Sequence, residues 1–181
     1  MNKNTYKMTI AGCERELPIC PVNDKLSIAA FIMFGDVEIT ECAASELIKK
    51  CPDHDILVTA EAKGIPICYE MARQENKPYF VARKTVKVYM TNPICAEVKS
   101  ITTKNTQKIY LSENDVDLIK GKRVLIVDDV ISTGESLIAL EKVVEAAGGN
   151  IVARAAVLAE GDATKRDDII FLDELPLFFK D

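Results

Sequence analysis

The chain has 181 residues, of which 48% are hydrophobic and 28% charged, with a net charge of -5, which suits one globular domain with an ordinary core. Acids and bases are interspersed, so no basic face for nucleic acid or an anionic membrane is evident. The polar start Met1 to Tyr6 is followed by no long apolar run, which argues against a signal peptide or transmembrane helix and leads us to expect a cytoplasmic protein.

In chain order, Tyr6–Ile10 and Glu14–Ile19 flank Ala11-Gly12 and predict a β-hairpin. Helices are expected over about Lys25–Phe34 and Val37–Cys51, the second stopped by Pro52. From there the pattern becomes βα alternation. Ile56–Ala60 predicts a strand, Pro66 a helix to about Arg73, and Tyr79–Ala82 a strand.

Between Lys84 and Lys122 the pattern is less regular, with candidate strands near Val86–Met90 and Lys108–Leu111 and a capping-box helix from Ser112 to Ile119. Val124–Val127 is the next strand, Glu135–Ala147 a helix ended by Gly148-Gly149, and Ile151–Leu158 a last strand. Strands buried on both faces and alternating with helices imply an α/β fold, with a mainly parallel central sheet flanked by helices. The expected division is a hood with N-terminal helices over 1–50, a core over 55–160 and a tail over 161–181. The segment 85–112 reads as a flexible loop, a lid beside a ligand site, with a static β-excursion nearly as well supported. The six cysteines show no Cys-x-x-Cys spacing and His54 is the only histidine, so zinc is poorly supported and reduced, mostly buried thiols are expected.

Chemistry concentrates at Val124 to Ser136, where two adjacent carboxylates, Asp128 and Asp129, end an apolar run and the hydroxyl-rich turn Ser132-Thr133-Gly134-Glu135-Ser136 opens a helix. The amides and hydroxyls of such a turn can donate to a phosphate, and the carboxylates can accept from sugar hydroxyls. The plainer alternative is a buried strand, a polar turn and an ordinary cap. A receiver domain is disfavoured because too little chain follows the acidic pair. No Gly-x-Gly-x-x-Gly or Walker loop occurs, and Ile138 stands where a nucleophile elbow needs its second glycine. Ligands of open α/β sheets bind beyond the strands' carboxyl ends, so Ala60–Gly64 and Arg83-Lys84 should converge on this motif. Read singly, Lys63 and Gly64 are a solvated lysine and a turn glycine, and Arg83-Lys84 an exposed strand end.

Residues 124–136 resemble the phosphoribosyl pyrophosphate (PRPP) binding motif of type I phosphoribosyltransferases. Ala60-Glu61-Ala62-Lys63-Gly64 is similar to the pyrophosphate loop of adenine phosphoribosyltransferases, with Lys63 in place of the usual arginine, and Val81-Ala82-Arg83-Lys84 is similar to the element that follows it. The likeness covers roughly 55–160, and Asp168–Phe179 is weakly similar to that family's tail. Glu97 to Thr102 is more similar to the xanthine-type branch. The resemblance implies transfer of ribose 5-phosphate from PRPP to a purine in purine salvage, adenine first, with xanthine or guanine as alternative. Outside the enzyme class, a PRPP-sensing regulator ranks lower because no basic recognition helix precedes the core.

By that resemblance, Asp128 and Asp129 are catalytic, and Ser132, Thr133, Gly134, Glu135 and Ser136 bind the 5′-phosphate, Glu135 through its backbone. Ala62, Lys63, Gly64, Arg83, Lys84 and Lys87 hold pyrophosphate. Mg²⁺ is carried by PRPP with no direct protein ligand, and a homodimer is implied. Phe31 and Phe34 are weak candidates for stacking on the base, ordinary core packing being the stronger reading.

Overall fold

In the computed structural model, residues 4–99 and 106–180 are described. The apolar runs predicted as strands become β4 (Ile56–Ala60) and β8 (Arg123–Ile131) at the middle of a five-stranded parallel sheet. With β5 (Tyr79–Ala82), β9 (Asn150–Glu160) and β10 (Ile170–Leu175) its order is β10-β9-β8-β4-β5. Side chains alternate across a strand, so Leu57, Leu125 and Val127 enter one packed layer while Ile56, Val58, Val124 and Ile126 enter the other. The first layer is closed by α1 (Val37–Lys50) and α2 (Ile65–Glu75), which bury Ile39, Ala43, Leu47, Ile67 and Met71. The second is closed by α4 (Glu135–Ala146) through Leu137, Leu140 and Val143, and by Ile119 of α3 (Glu113–Ile119). Ser112 and Asp115 form the capping box of α3 that the sequence predicts.

A second sheet, the hood, runs antiparallel in the order β1-β2-β3-β11, with β1 (Thr5–Ile10), β2 (Cys13–Pro21), β3 (Leu26–Ala29) and β11 (Leu177–Phe179). Its first hairpin turns at Ala11 and Gly12, with φ of 50° and 83°, as a tight two-residue turn requires. Arg15 of β2 grips Asp36, the N-cap of α1, through Nε–Oδ2 at 2.6 Å and Nη2–Oδ1 at 2.8 Å. That guanidinium holds the Asp36 carboxyl below its ordinary pKa and fastens hood to core. Only Pro176 separates β10 from β11, so one continuous segment belongs to both sheets.

Several expectations need correction. Lys25–Phe34 is not a helix. Ser27, Ala29, Phe31 and Met33 are buried at every second position, which is the period of an extended chain. No strand forms over Val86–Met90, where Val88 is fully exposed; the strands there are β6 (Ile94–Lys99) and β7 (Thr106–Leu111). Ala96, Val98, Ile109 and Leu111 are buried in the α4 layer, so the described part of the 85–112 loop includes a packed hairpin stem. Residues 100–105, which include Ser100 to Thr102 of the xanthine-like segment, lie outside the described residues. The tail supplies a 3-10 turn (Gly161–Lys165), a core strand and a hood strand. All six cysteines are free, but only Cys13 and Cys68 are buried and Cys95 is exposed. Among the described residues no helix is long and apolar enough to cross a membrane.

Candidate active site

The central sheet reverses its order of growth between β8 and β4, because β9 and β10 add on one side and β5 on the other. Such a switch point opens a crevice at the strands' carboxyl ends. Here β4 and β8 pair only from Ile56–Val124 to Val58–Ile126. Beyond that, Thr59 and Ala60 pair with β5 alone, and Asp128, Val130 and Ile131 with β9 alone. The two strands therefore part just before the acidic pair. Asp128 and Asp129 lie inside β8 and not past its end, since the strand runs on to Ile131 along β9.

The cleft so formed is lined by Ala60, Glu61, Ala62, Lys63 and Lys84 on one side and by Asp128 to Gly134, Ser136 and Leu137 on the other. Gly64 is the N-cap of α2 and packs where no side chain fits. A Cβ there would lie 2.4 Å from Thr59 Oγ1, 2.7 Å from Asp128 Oδ1 and 3.2 Å from Asp128 Cα. Gly134, the N-cap of α4, has φ of 78°, a left-handed conformation that glycine adopts without steric cost. Its turn places the start of α4 beside the cleft, where Ser132, Thr133, Gly134 and Ser136 line the cavity.

Asp129 is buried and receives Lys63 Nζ at 2.8 Å on Oδ2. Asp128 Oδ1 accepts from the Asp129 amide at 2.9 Å. Burial, and then the adjacent Asp129 charge, push the Asp128 carboxyl up to about 7. Across the cleft mouth, Glu61 faces Arg83 Nη2 at 3.3 Å and Lys87 Nζ at 3.6 Å, and it accepts from the Lys84 amide at 3.0 Å. The Arg83 backbone is pinned to Tyr110 of β7 by two hydrogen bonds of 2.8 Å, and Gln107 Nε2 donates to Ser136 Oγ at 3.2 Å. The hairpin stem thus supports both the cationic and the hydroxyl-rich side. Among the described residues no group of three or more His, Cys, Asp or Glu side chains is placed to hold a metal ion.

Of the predicted site residues, Asp128, Asp129, Ser132, Thr133, Gly134, Ser136, Ala62, Lys63 and Lys84 line one cavity. Gly64, Arg83, Lys87 and Glu135 adjoin it without lining it. The two phenylalanines are not brought there. Phe31 is 4% exposed within the layer of α1 and α2, and Phe34 is 57% exposed beside Pro66 and Tyr69. The apolar lining comes instead from Ala60, Ala62, Val130, Ile131 and Leu137.

Two further groups escaped the sequence reading. Glu160 ends β9 with Oε1 buried and without a hydrogen-bond partner among the described residues, and burial raises its pKa. Its place at a strand's carboxyl end is the signal that would have found it. Arg166, bound to Asp168 through Nε at 2.8 Å and Nη2 at 2.7 Å, sets Nη1 3.1 Å from where a Cβ of Gly134 would be. No local pattern in the sequence marks that approach.

The family model described as "Phosphoribosyl transferase domain" matches residues 35–178. The hypoxanthine/guanine phosphoribosyltransferase of Methanotorris igneus is 32% identical over 160 residues, covering 87% of this chain and 80% of that protein. The xanthine phosphoribosyltransferase of Exiguobacterium sp. is 30% identical over 149 residues, covering 80% and 76%. With the hypoxanthine/guanine phosphoribosyltransferase of Methanococcus voltae identity rises to 40%, but the match spans 62% of this chain and only 56% of that protein. Among solved structures, the adenine phosphoribosyltransferase of Rhodothermus marinus superposes with a TM-score of 0.68 at 20% identity, covering 94% of each chain. At that identity the likeness concerns the fold alone.

Proposed function

Because the chain belongs to the phosphoribosyl transferase domain family, we propose that it is a purine phosphoribosyltransferase, which moves ribose 5-phosphate from PRPP to a purine nitrogen and releases pyrophosphate. One observation carries the proposal. A single crevice at the sheet's switch point gathers a carboxylate pair, a phosphate-type turn and a cationic loop, and those are the three parts PRPP needs.

The turn from Ser132 to Ser136 binds the 5′-phosphate through amides and hydroxyls at the start of α4. Asp128 and Asp129 accept the ribose hydroxyls and offset the positive charge that grows on the sugar as pyrophosphate leaves. Lys63, Lys84, Arg83 and Lys87 neutralise the departing pyrophosphate, and the Gly64 close approach keeps the lysine loop against Asp128. Electrostatic stabilisation and positioning of the reactants together carry the catalysis. A substrate-borne Mg²⁺ fits this site: with no group of three or more His, Cys, Asp or Glu placed to hold a metal among the described residues, the ion would take phosphate oxygens and water as ligands and lower the charge of the leaving group.

For the base, the 6-oxopurines hypoxanthine, guanine and xanthine are favoured by the relatives at 30–40% identity. Adenine is the second reading, supported by the Ala60–Gly64 loop resemblance. A homodimer is also part of the proposal, tested by sedimentation of the full chain. The deciding assay incubates the protein with PRPP, Mg²⁺ and each purine separately. The expected result is a nucleoside monophosphate and pyrophosphate with at least one 6-oxopurine. Turnover with adenine alone would reverse the order of bases, and no pyrophosphate with any purine would overturn the proposal.

A further inference from the structure

Glu61, in the same loop as Lys63, is a carboxylate lining a cleft otherwise suited to an anion, beside Lys63 and Lys84. Its Oε1 faces both Arg83 Nη2 at 3.3 Å and Lys87 Nζ at 3.6 Å, and its Oε2 accepts from the Lys84 amide at 3.0 Å. These contacts hold its carboxyl below the ordinary value, the Lys84 amide contributing most among the lowering causes, so it is ionised near neutral pH. The two side-chain contacts are loose beside the 2.8 Å pair of Lys63 and Asp129. Arg83 Nε is moreover buried with no hydrogen-bond partner among the described residues. The carboxylate therefore balances both cations, with Lys87 Nζ also donating to Thr85 Oγ1 at 2.8 Å, while leaving part of their donor capacity unused.

We propose that Glu61 is an internal counter-anion of the pyrophosphate cradle: it holds Arg83 and Lys87 at the cleft, cedes them to the pyrophosphate oxygens, and recovers them as pyrophosphate departs. The inference rests on the reading of the cleft as a PRPP site. No covalent bond changes in the exchange; one anion replaces another on the same donors. Because Glu61 competes for those donors and carries the same sign as the ligand, it weakens pyrophosphate binding and speeds its release. It also spares the free protein a cluster of uncompensated positive charges.

Glu61→Gln tests this, since glutamine keeps the shape and an acceptor for the Lys84 amide but loses the charge. Calorimetric titration of the full chain with pyrophosphate and Mg²⁺ should show roughly tenfold tighter binding in the variant, of the order expected for removing one nearby like charge. In turnover, the KM for PRPP should fall and inhibition by pyrophosphate should strengthen. A merely structural role predicts the opposite sign, because a disordered Arg83 would bind less. In an Arg83→Gln background the gain from Glu61→Gln should shrink, as a double-mutant cycle reads directly. Unchanged or weaker pyrophosphate affinity in Glu61→Gln, with the wild type binding normally, overturns the proposal alone. A wild-type protein that binds neither pyrophosphate nor PRPP overturns it together with the functional reading.

Discussion

Asp128 has a protonation state that the fold controls, and its sign can be followed. Its folded pKa, about 7, lies above the ordinary 3.8, so folding favours the neutral acid. That contribution to stability is whole below about pH 4 and is lost as the pH rises to about 7. The melting temperature of the free protein should fall with pH across this window, and Asp128→Asn should flatten that slope. In the proposed reaction the ionised carboxylate accepts the ribose hydroxyls, so kcat/KM for PRPP should rise through about pH 7 along a single-proton limb. Asp128→Asn should remove the limb together with most of the turnover. Gly64 gives a second prediction at this scale. Gly64→Ala places a methyl against Thr59 and Asp128, which should cost about 1–3 kcal/mol in a denaturant titration. By displacing the carboxylate it should also lower kcat/KM roughly a hundredfold, far beyond the loss of folded protein. The Asp128-Asp129 pair and the Ser132 to Ser136 turn were legible in the sequence because they are contiguous. Glu61, Glu160 and Arg166 were not, because their roles come from neighbours distant in the chain.

Among the elements, strands with unbroken apolar runs, such as Ile56–Ala60 and Val124–Val127, could be read directly, since burial on both faces asks for that composition. The stretch Leu26 to Met33 misled because Ile28, Ala30 and Ile32, which face outward, are as apolar as the buried set, and alternation disappears when both phases are hydrophobic. The β6–β7 hairpin alters what a closing lid can mean here. Its stem contributes Leu111 and Ile109 to the layer beneath α4, so amides within 94–98 and 107–111 should exchange slowly with and without PRPP. Leu111→Ala should destabilise the protein by about 2–5 kcal/mol in a denaturant titration. Fast exchange along the stem in the free protein, together with a negligible cost of that substitution, would restore the idea of a lid that moves from Arg83 onward.

At the scale of the whole molecule, the hood and the parallel core share the arm from β10 to β11, beside the Arg15–Asp36 clasp. The parallel core could be inferred from βα alternation, but the hood's fourth strand could not, since Leu177–Phe179 pairs with Leu26–Ile28 and no local pattern announces so distant a partner. Phe178 meets Tyr6 edge-on at 5.6 Å and packs against the first core layer. Phe178→Ala should therefore lower the melting temperature by several degrees, as a loss of about 1–3 kcal/mol would. If core and hood cohere through this arm, fluorescence and circular dichroism should report one coincident transition. That arm also sets a schedule. The β3 edge waits for a strand that follows nearly all of the described chain. Most of this polypeptide must be synthesised while its hood lacks a neighbour, with the β3 edge open to wrong pairing. The search for so remote a contact should make the final docking of Leu175 to Phe179 a slow refolding step, and should make the nascent chain prone to association until residue 179 has emerged.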